Sequence, residues 1–308
     1  MKSIAKTLVI ASAVAMACGA AQAASTYAAT KYPFVMAHGA AGFDKIGPVD
    51  YWYGITTDLR DNGAKVYTTS MSAMNSSDVR NEQFLKEFKQ IMAISGAAKY
   101  NLIGHSHGAH SIRYVAAIMP AKVASVTSVD GVNAGTPVAD VVLGFTNVLG
   151  PAGTEIVAAL VNGLGKIEAY LSGNPSLPQD SVAMLNSLTT PAMKAYNQKY
   201  PAGVPATACG QGAASVNGVR YYSWGGTAVV TNPLDPLDLF LTATSAAFLG
   251  AANDGLVGKC AQHLGTVIRD DYNMNHMDAV NQAIGLRGLF DPVALYRQHA
   301  NRLKLAGV

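Results

Sequence analysis

Charge is the first thing this 308-residue chain has little of: 13% of its residues are Asp, Glu, Lys or Arg, with a formal net charge of +3. Lys2 and Lys6 precede an apolar run at residues 7–17 and small residues ending Ala21-Gln22-Ala23, the order of a secretory signal peptide. Cleavage after Ala23 or Ala24 would leave a net charge of about +1 on residues 25–308, too little to hold nucleic acid or an anionic membrane surface. Recognition must then be apolar. The leader's run is too short to span a bilayer as a mature helix, and no other uncharged stretch has spanning length with suitable flanks. Cysteine is also scarce. Cys18 lies in the leader, where Ala15-Met16-Ala17 fits a lipoprotein signal poorly. That leaves Cys209 and Cys260, an even count that in an exported chain is expected to pair, the alternative being two buried thiols.

Apolar residues are plentiful at 50% of the chain, enough for one large core. Residues 32–37 read as a buried strand ending in the Gly-rich turn His38-Gly39-Ala40-Ala41-Gly42. Further strands are expected at 65–69, 100–103 and 123–129. Phe84, Leu85, Phe88, Ile91 and Met92 form one stripe of a helix over 81–95, closed by Gly96. Strands alternating with helices predict an α/β domain with a mostly parallel sheet and helices on both faces. Asp50-Tyr-Trp-Tyr-Gly54 reads as aromatic packing. Between 140 and 188 the character changes. Thr154 caps a segment in which Ile156, Val157, Leu160, Val161, Leu164, Ile167 and Leu171 recur at helical spacing with scarcely any polar face, which is either buried core or a lid over a greasy site.

The chemistry centres on Gly104-His105-Ser106-His107-Gly108, between the strand at 100–103 and helical spacing at Ile112, Val115, Ala116 and Met119 that Pro120 stops. A serine at a sharp strand-to-helix turn is a nucleophile elbow, with glycines where strand and helix approach closely. A serine nucleophile needs an imidazole to take its proton and a carboxylate to orient that imidazole. His263, His276 and His299 follow it. His299 sits in a polar C-terminal stretch and His263 behind Cys260, whereas His276 occupies a loop, Asn273-Met-Asn-His-Met-Asp278, with no other evident purpose. Asp254, in the turn Ala252-Asn-Asp-Gly-Leu-Val257, supplies the acid. The oxyanion donors are the N–H groups of Ala40 and His107. A rival reading takes His105, His107 and His110 as zinc ligands, since the run nearly matches H-x-H-x-D-H with Ala109 in place of the aspartate.

The segments Lys31-Tyr-Pro-Phe-Val-Met-Ala-His-Gly39, Asp50-Tyr-Trp, Asn101-Leu-Ile-Gly-His-Ser-His-Gly108, Tyr221-Tyr-Ser-Trp224, Ala252-Asn-Asp-Gly-Leu-Val257, Met274-Asn-His276 and Tyr296-Arg-Gln-His-Ala-Asn-Arg-Leu303 resemble the secreted triacylglycerol lipases of Pseudomonas and Burkholderia. The resemblance covers nearly the whole mature chain. It implies an α/β-hydrolase with Ser106, Asp254 and His276 as triad, hydrolysing acylglycerol esters. It also implies a structural Ca2+ on Asp235, Asp278 and the backbone oxygens of Gln282 and Leu286, a Cys209–Cys260 disulfide, a membrane-anchored foldase partner and two-step secretion through the periplasm. Three departures stand out. Ala40 replaces a larger residue, Ala109-His110 replace a glycine continuation, and in Ser128-Val-Asp-Gly-Val-Asn-Ala-Gly-Thr-Pro-Val-Ala-Asp140 Asp130 replaces a glycine and Asn133 a histidine. These put acyl-chain preference in doubt, leaving a carboxylesterase or polyester hydrolase as the alternative; an exported lipid-binding relative without turnover is the rival outside catalysis.

Overall fold

Pro33 fixes the entry to the first strand, and the apolar run behind it, Phe34–Ala37 (β1), is buried at every residue. The same holds for Tyr100–His105 (β5) and Val123–Val129 (β6). Strands buried on both faces are those of a parallel sheet covered on both sides, and the computed structural model, described here for residues 25–144 and 173–308, has that architecture. The expected leader and the apolar segment at 154–171 lie outside the described residues.

Lys45–Ile46 (β2) and Val49–Asp50 (β3) form a separate small hairpin ahead of Val66–Thr68 (β4). In the main sheet β4, β1, β5 and β6 run side by side, followed by Val219–Gly226 (β8), all parallel. The outer edge of β8 is shared by Ser215–Val216 (β7), antiparallel, and Thr266–Tyr272 (β9), parallel. On one face lie Ile55–Asp61 (α1) and Pro292–Leu305 (α7), contributing Ile55, Leu59, Tyr296 and Leu303 to a core with Trp52 and Trp224. The other face carries Ser77–Ser95 (α2) and Gly108–Ile118 (α3), with Phe84, Phe88, Ile112 and Val115 in the second core. The apolar stripe expected on α2 is inside, but the helix begins four residues earlier than its periodicity suggests. Ser76 caps it, accepting from the Val79 N–H, and Gly96 ends it at φ 60°.

The stretch from Ser181–Leu188 (α4) to Thr190–Lys199 (α5) closes over the C-terminal end of the sheet. Met184 and Leu188 meet Val132, Ala139 and Val257 in a small apolar cluster against which Ala40 and Met74 pack. Cys209 and Cys260 are joined by a disulfide 51 residues apart in sequence, a loop whose closure contributes roughly 4 kcal/mol on the chain-entropy account.

Glu87 on α2 accepts the Ser70 N–H at 2.8 Å, and burial pushes its carboxyl up to about 7. Its folded form holds the proton more tightly than the unfolded chain does. Stability is therefore full below the ordinary carboxylate range, at about 4.5, and falls as pH rises towards 7. Glu87→Gln keeps an acceptor for Ser70 and is expected to raise stability at pH 8 by on the order of 2 kcal/mol, allowing for partial solvation, with the difference vanishing near pH 4. Thermal melts of both proteins across that range check it.

Candidate active site

At the end of β5 the backbone of Ser106 adopts φ 54°, a left-handed conformation that a serine enters only under constraint. The constraint is packing. A Cβ on Gly104 would stand 2.5 Å from the Gly108 carbonyl oxygen, and one on Gly108 only 2.2 Å from that of Ala37. No side chain fits at either place, so α3 starts against β1 and β5, and the turn between them is tight. The Ser106 N–H donates to Val129 O at 3.0 Å, tying the elbow to β6. Ser106 remains 8% exposed.

Of the three histidines behind the serine, His276 is the one bonded to the expected acid. Its Nδ1 lies 2.8 Å from Asp254 Oδ2, and its backbone N–H donates to Asp254 O at 2.9 Å. Both side chains are buried. Asp254 Oδ1 takes the N–H groups of Leu256 and Val257, at 2.9 and 2.6 Å, and Oδ2 also takes Gln262 Nε2 at 3.0 Å. The turn Asn253 to Gly258 is closed by a bridge pairing and holds the carboxylate rigid. His263 instead bonds Gly210 O and Asp270, beside the disulfide. His299 is fully buried beneath Tyr222 and Trp224 and bonded to Thr127. Its helix was expected to be polar; the imidazole lies on the face turned into the core, where burial holds it down to about 3.

The residue before the nucleophile does more than the pentapeptide suggests. His105 packs its ring 4.6 Å from that of His276, and its Nε2–H donates to the His276 carbonyl at 3.0 Å. With that nitrogen the donor, Nδ1 accepts from Tyr51 OH at 2.7 Å, and Tyr51 in turn accepts the Gly39 N–H at 3.1 Å. Burial drives His105 well below its ordinary range, so it stays neutral and this single tautomer persists. One chain of bonds thus joins the Gly-rich turn, the nucleophile strand and the histidine loop. Tyr51 comes from the aromatic cluster read from sequence as packing alone; nothing in its local pattern shows that its hydroxyl reaches 54 residues along the chain to His105.

The two residues whose N–H groups were expected to serve as oxyanion donors also fall together. β1 lies beside β5 with Ala37 level with Gly104, which brings Ala40 and His107 to the same end of neighbouring strands. The turn and cap bonds around them use adjacent amides: Ala41 N–H to Ala73 O, and Ala109 N–H to Ser106 O. The carbonyls of His38 and Gly39 are drawn away by Arg80 Nη2, at 2.6 and 3.0 Å, while Arg80 Nη1 also bonds Ser72 O. His38 is pinned by its own Nδ1–H to Gly39 O and by the Met71 N–H at Nε2, and burial with the nearby Arg80 charge holds it down to about 3. Arg80 carries no motif, and sequence reasoning missed it.

The three histidines of the zinc reading face different ways. His105 uses both nitrogens as described, whereas His107 and His110 share Ser77 Oγ at 2.9 and 2.8 Å. His110 is further bound to Val132 O. Among the described residues, no three His, Cys, Asp or Glu side chains gather as a metal-binding group.

Of the expected calcium ligands, Asp278 follows His276 by two residues, and its Oδ2 accepts the Asn275 N–H at 3.0 Å. Its Oδ1 is buried without a hydrogen-bond partner. Asp235 caps Pro236–Ser245 (α6), accepting from Leu237 N–H. Asp238, not singled out in the sequence, links the two segments: its Oδ1 accepts Asn275 Nδ2 at 2.7 Å, and its Oδ2 takes the N–H groups of Thr231 and Asn232. Gln282 sends its side chain to the carbonyls of Asp50 and Tyr51, and Leu286 stands exposed further along the same loop.

Residues 32–280 match the model of the alpha/beta hydrolase fold family. A triacylglycerol lipase of Vibrio cholerae is 51% identical over 92% of this chain and 90% of its own length. Triacylglycerol lipases of Pseudomonas fragi and Burkholderia plantarii are 44% and 43% identical, over 91% and 94% of this chain and 98% and 90% of theirs. Among solved structures, a metagenomic carboxyl esterase aligns with a TM-score of 0.60 at 16% identity, over 89% of this chain and 76% of its own. The mature form of a Bacillus licheniformis lipase aligns at 0.55 and 17%, over 82% and 87%. At such identities the structures speak for the fold, and the sequences carry the closer kinship. The chain belongs to the alpha/beta hydrolase family and, within it, to the bacterial triacylglycerol lipases.

Proposed function

We propose that this enzyme hydrolyses carboxylic esters of acylglycerols through a covalent acyl-enzyme, with Ser106 as nucleophile, His276 as base and Asp254 as the orienting acid. The observation that carries the reading is the buried His276–Asp254 pair at 2.8 Å, packed by His105 against the strained turn that presents Ser106. With Nδ1–H committed to Asp254, the Nε2 of His276 is left as the lone-pair nitrogen that takes the Ser106 proton as the hydroxyl attacks the ester carbonyl. The tetrahedral oxygen would lie against the N–H groups of Ala40 and His107. His276 then protonates the leaving alcohol, and water, activated the same way, releases the fatty acid.

The lipase relatives support an acylglycerol substrate, as does the apolar cluster of Met184, Leu188 and Val257 beside Ala40. A carboxylesterase or polyester hydrolase would use the same machinery, and Ala40, smaller than the residue of the resembling lipases, widens that wall. A fluorophosphonate probe with the purified protein, followed by esters of graded acyl length with and without an emulsion, tests both levels. Labelling confined to Ser106 and rising rates on long-chain emulsified esters are expected. Absence of labelling together with absence of turnover would leave a lipid-binding protein.

Residues 1–24 as a signal peptide, export through the periplasm and help from a dedicated foldase complete the proposal. So does a structural Ca2+. Asp278 Oδ1, buried near Asp235 and Asp238 with only the Thr231 hydroxyl beside the carboxylate and no well-formed hydrogen bond, suits an oxygen-seeking cation, which would rest on Asp235 and Asp278 with the backbone oxygens of Gln282 and Leu286. Bound there, the ion would supply charge neutralisation and stiffness to the loop that bears His276, without touching the ester. Chelation by EDTA is expected to lower the melting temperature by several degrees, with recovery on adding calcium but not magnesium; melts insensitive to both would exclude the site.

A further inference from the structure

β6 ends at Val129, and the next residue, Asp130, is wholly buried in a left-handed conformation at φ 42°. A side chain enters that conformation only at a cost, so an aspartate here must be held by its surroundings. Its N–H donates to Trp224 O at 3.0 Å, and its Oδ1 accepts the Gly226 N–H at 2.7 Å. The space comes from Gly225: a Cβ there would stand 1.7 Å from Gln262 Oε1 and 2.5 Å from Asp130 Oδ1. Both side chains occupy the room a side chain at 225 would take.

The carboxyl group of Asp130 lies beside that of Asp254: Gln262, whose Oε1 shares the space over Gly225 with Asp130 Oδ1, donates its Nε2–H to Asp254 Oδ2 at 3.0 Å. As two carboxylates they have no proton to share, and Asp130 Oδ2 is left buried without a partner. One proton between them turns the contact into a carboxyl–carboxylate hydrogen bond. Which residue keeps it follows from the donors already in place. Asp254 receives four, from Leu256, Val257, Gln262 and His276, whereas Asp130 receives one. Negative charge belongs where the donors converge.

We infer that Asp130 is a positioning residue for the hydrolysis: it remains a neutral acid, donates to the Asp254 carboxylate, and thereby fixes the oxygen that faces His276. This deepens the triad reading and rests on it. Burial and the neighbouring Asp254 charge both favour the neutral form of Asp130. Tyr296, whose phenol feels Asp130, is itself kept neutral by burial. With its lone pairs engaged on all sides, the Asp254 carboxylate has no free rotation, and the imidazole bonded to it through Nδ1 keeps one orientation.

Asp130→Asn preserves shape, neutrality and a donor, whereas Asp130→Ala removes the donor. The Asn variant is expected to keep kcat within about threefold of wild type, and the Ala variant to lose about tenfold or more in kcat with KM within about twofold. An infrared difference spectrum between wild type and Asp130→Asn at neutral pH is expected to show one protonated-carboxyl C=O stretch that the variant lacks. Absence of that band overturns the inference. So does an Asn variant as impaired as the Ala variant, or an Ala variant with unchanged kcat. If the Ala protein does not fold, the infrared band and the Asn kinetics decide. Activity surviving in Ser106→Ala would instead remove the triad reading, while the band would still report on Asp130 alone.

Discussion

Ser106→Ala is expected to lower kcat on a soluble ester by about 10⁵-fold or more, to a residue of turnover supplied by the oxyanion donors and binding alone. The size follows from role: with the nucleophile gone, no acyl-enzyme forms, and His276 has no hydroxyl to deprotonate. His276→Ala is expected to cost nearly as much. The double variant should be no worse than either single one, because the two groups act in one step. Single-turnover kinetics on all three proteins measure this. The fold should survive. Alanine at 106 keeps the left-handed φ of 54° and loses only a small hydroxyl, so its melting temperature should stay close to that of wild type. Ser106→Gly relieves the strain and should be more stable by about 1 kcal/mol while equally inactive. A glycine variant more stable than the alanine variant would show directly that the elbow's strain does not serve folding.

Arg80→Met is expected to lower kcat about 100-fold with little change in KM, and to destabilise the protein by about 3 kcal/mol. The catalytic part would arise because the guanidinium takes the carbonyls of His38 and Gly39, which fixes the peptide planes of the Gly-rich loop and so the direction of the Ala40 N–H, the proposed oxyanion donor. Loss of one oxyanion donor costs about 10²–10³ in kcat in serine hydrolysis. The stability part arises because carbonyls of residues 38, 39 and 72, bound by Arg80 inside the protein, would be left without their donor, at about 1–3 kcal/mol each before relaxation. Arg80→Lys should not rescue, since an ammonium is a single point of charge and cannot fork to several carbonyls on different sides. Steady-state kinetics and denaturant melts check the two parts separately. A variant that loses stability but keeps kcat would show that the loop holds its shape without Arg80.

The strained turn at Ser106 was legible because its signal is local. A serine between glycines, a β-prone run before it and helical spacing after it are all consequences of one turn, and every residue needed lies within a dozen positions. The strands β1, β5 and β6 were legible for a similar reason: parallel strands covered on both faces are rich in apolar residues, and all three are buried at every position, with the few polar members such as Asn101 and Ser125 bonded to each other inside. The start of α2 was misjudged because Ser76 caps it before the apolar stripe begins. The burial of His299 was not legible because a polar composition does not tell which face of a helix turns inward.

The sequence by itself determined the order of the main-sheet strands and their helices as far as residue 129, the parallel sheet, the turn that bears Ser106 and the short set of histidines and acids that could serve it. Those are carried by periodicity, backbone conformation and residue type, which act over a few positions. Only the tertiary structure decided that His276, and neither His263 nor His299, meets Asp254, that Tyr51 and His105 lock the histidine loop to the nucleophile strand, and that Arg80 bonds the carbonyls of the Gly-rich turn. Each of those is a contact between residues tens to hundreds of positions apart. Their partners are chosen by how the sheet's edges come together, and no spacing along the chain records that choice.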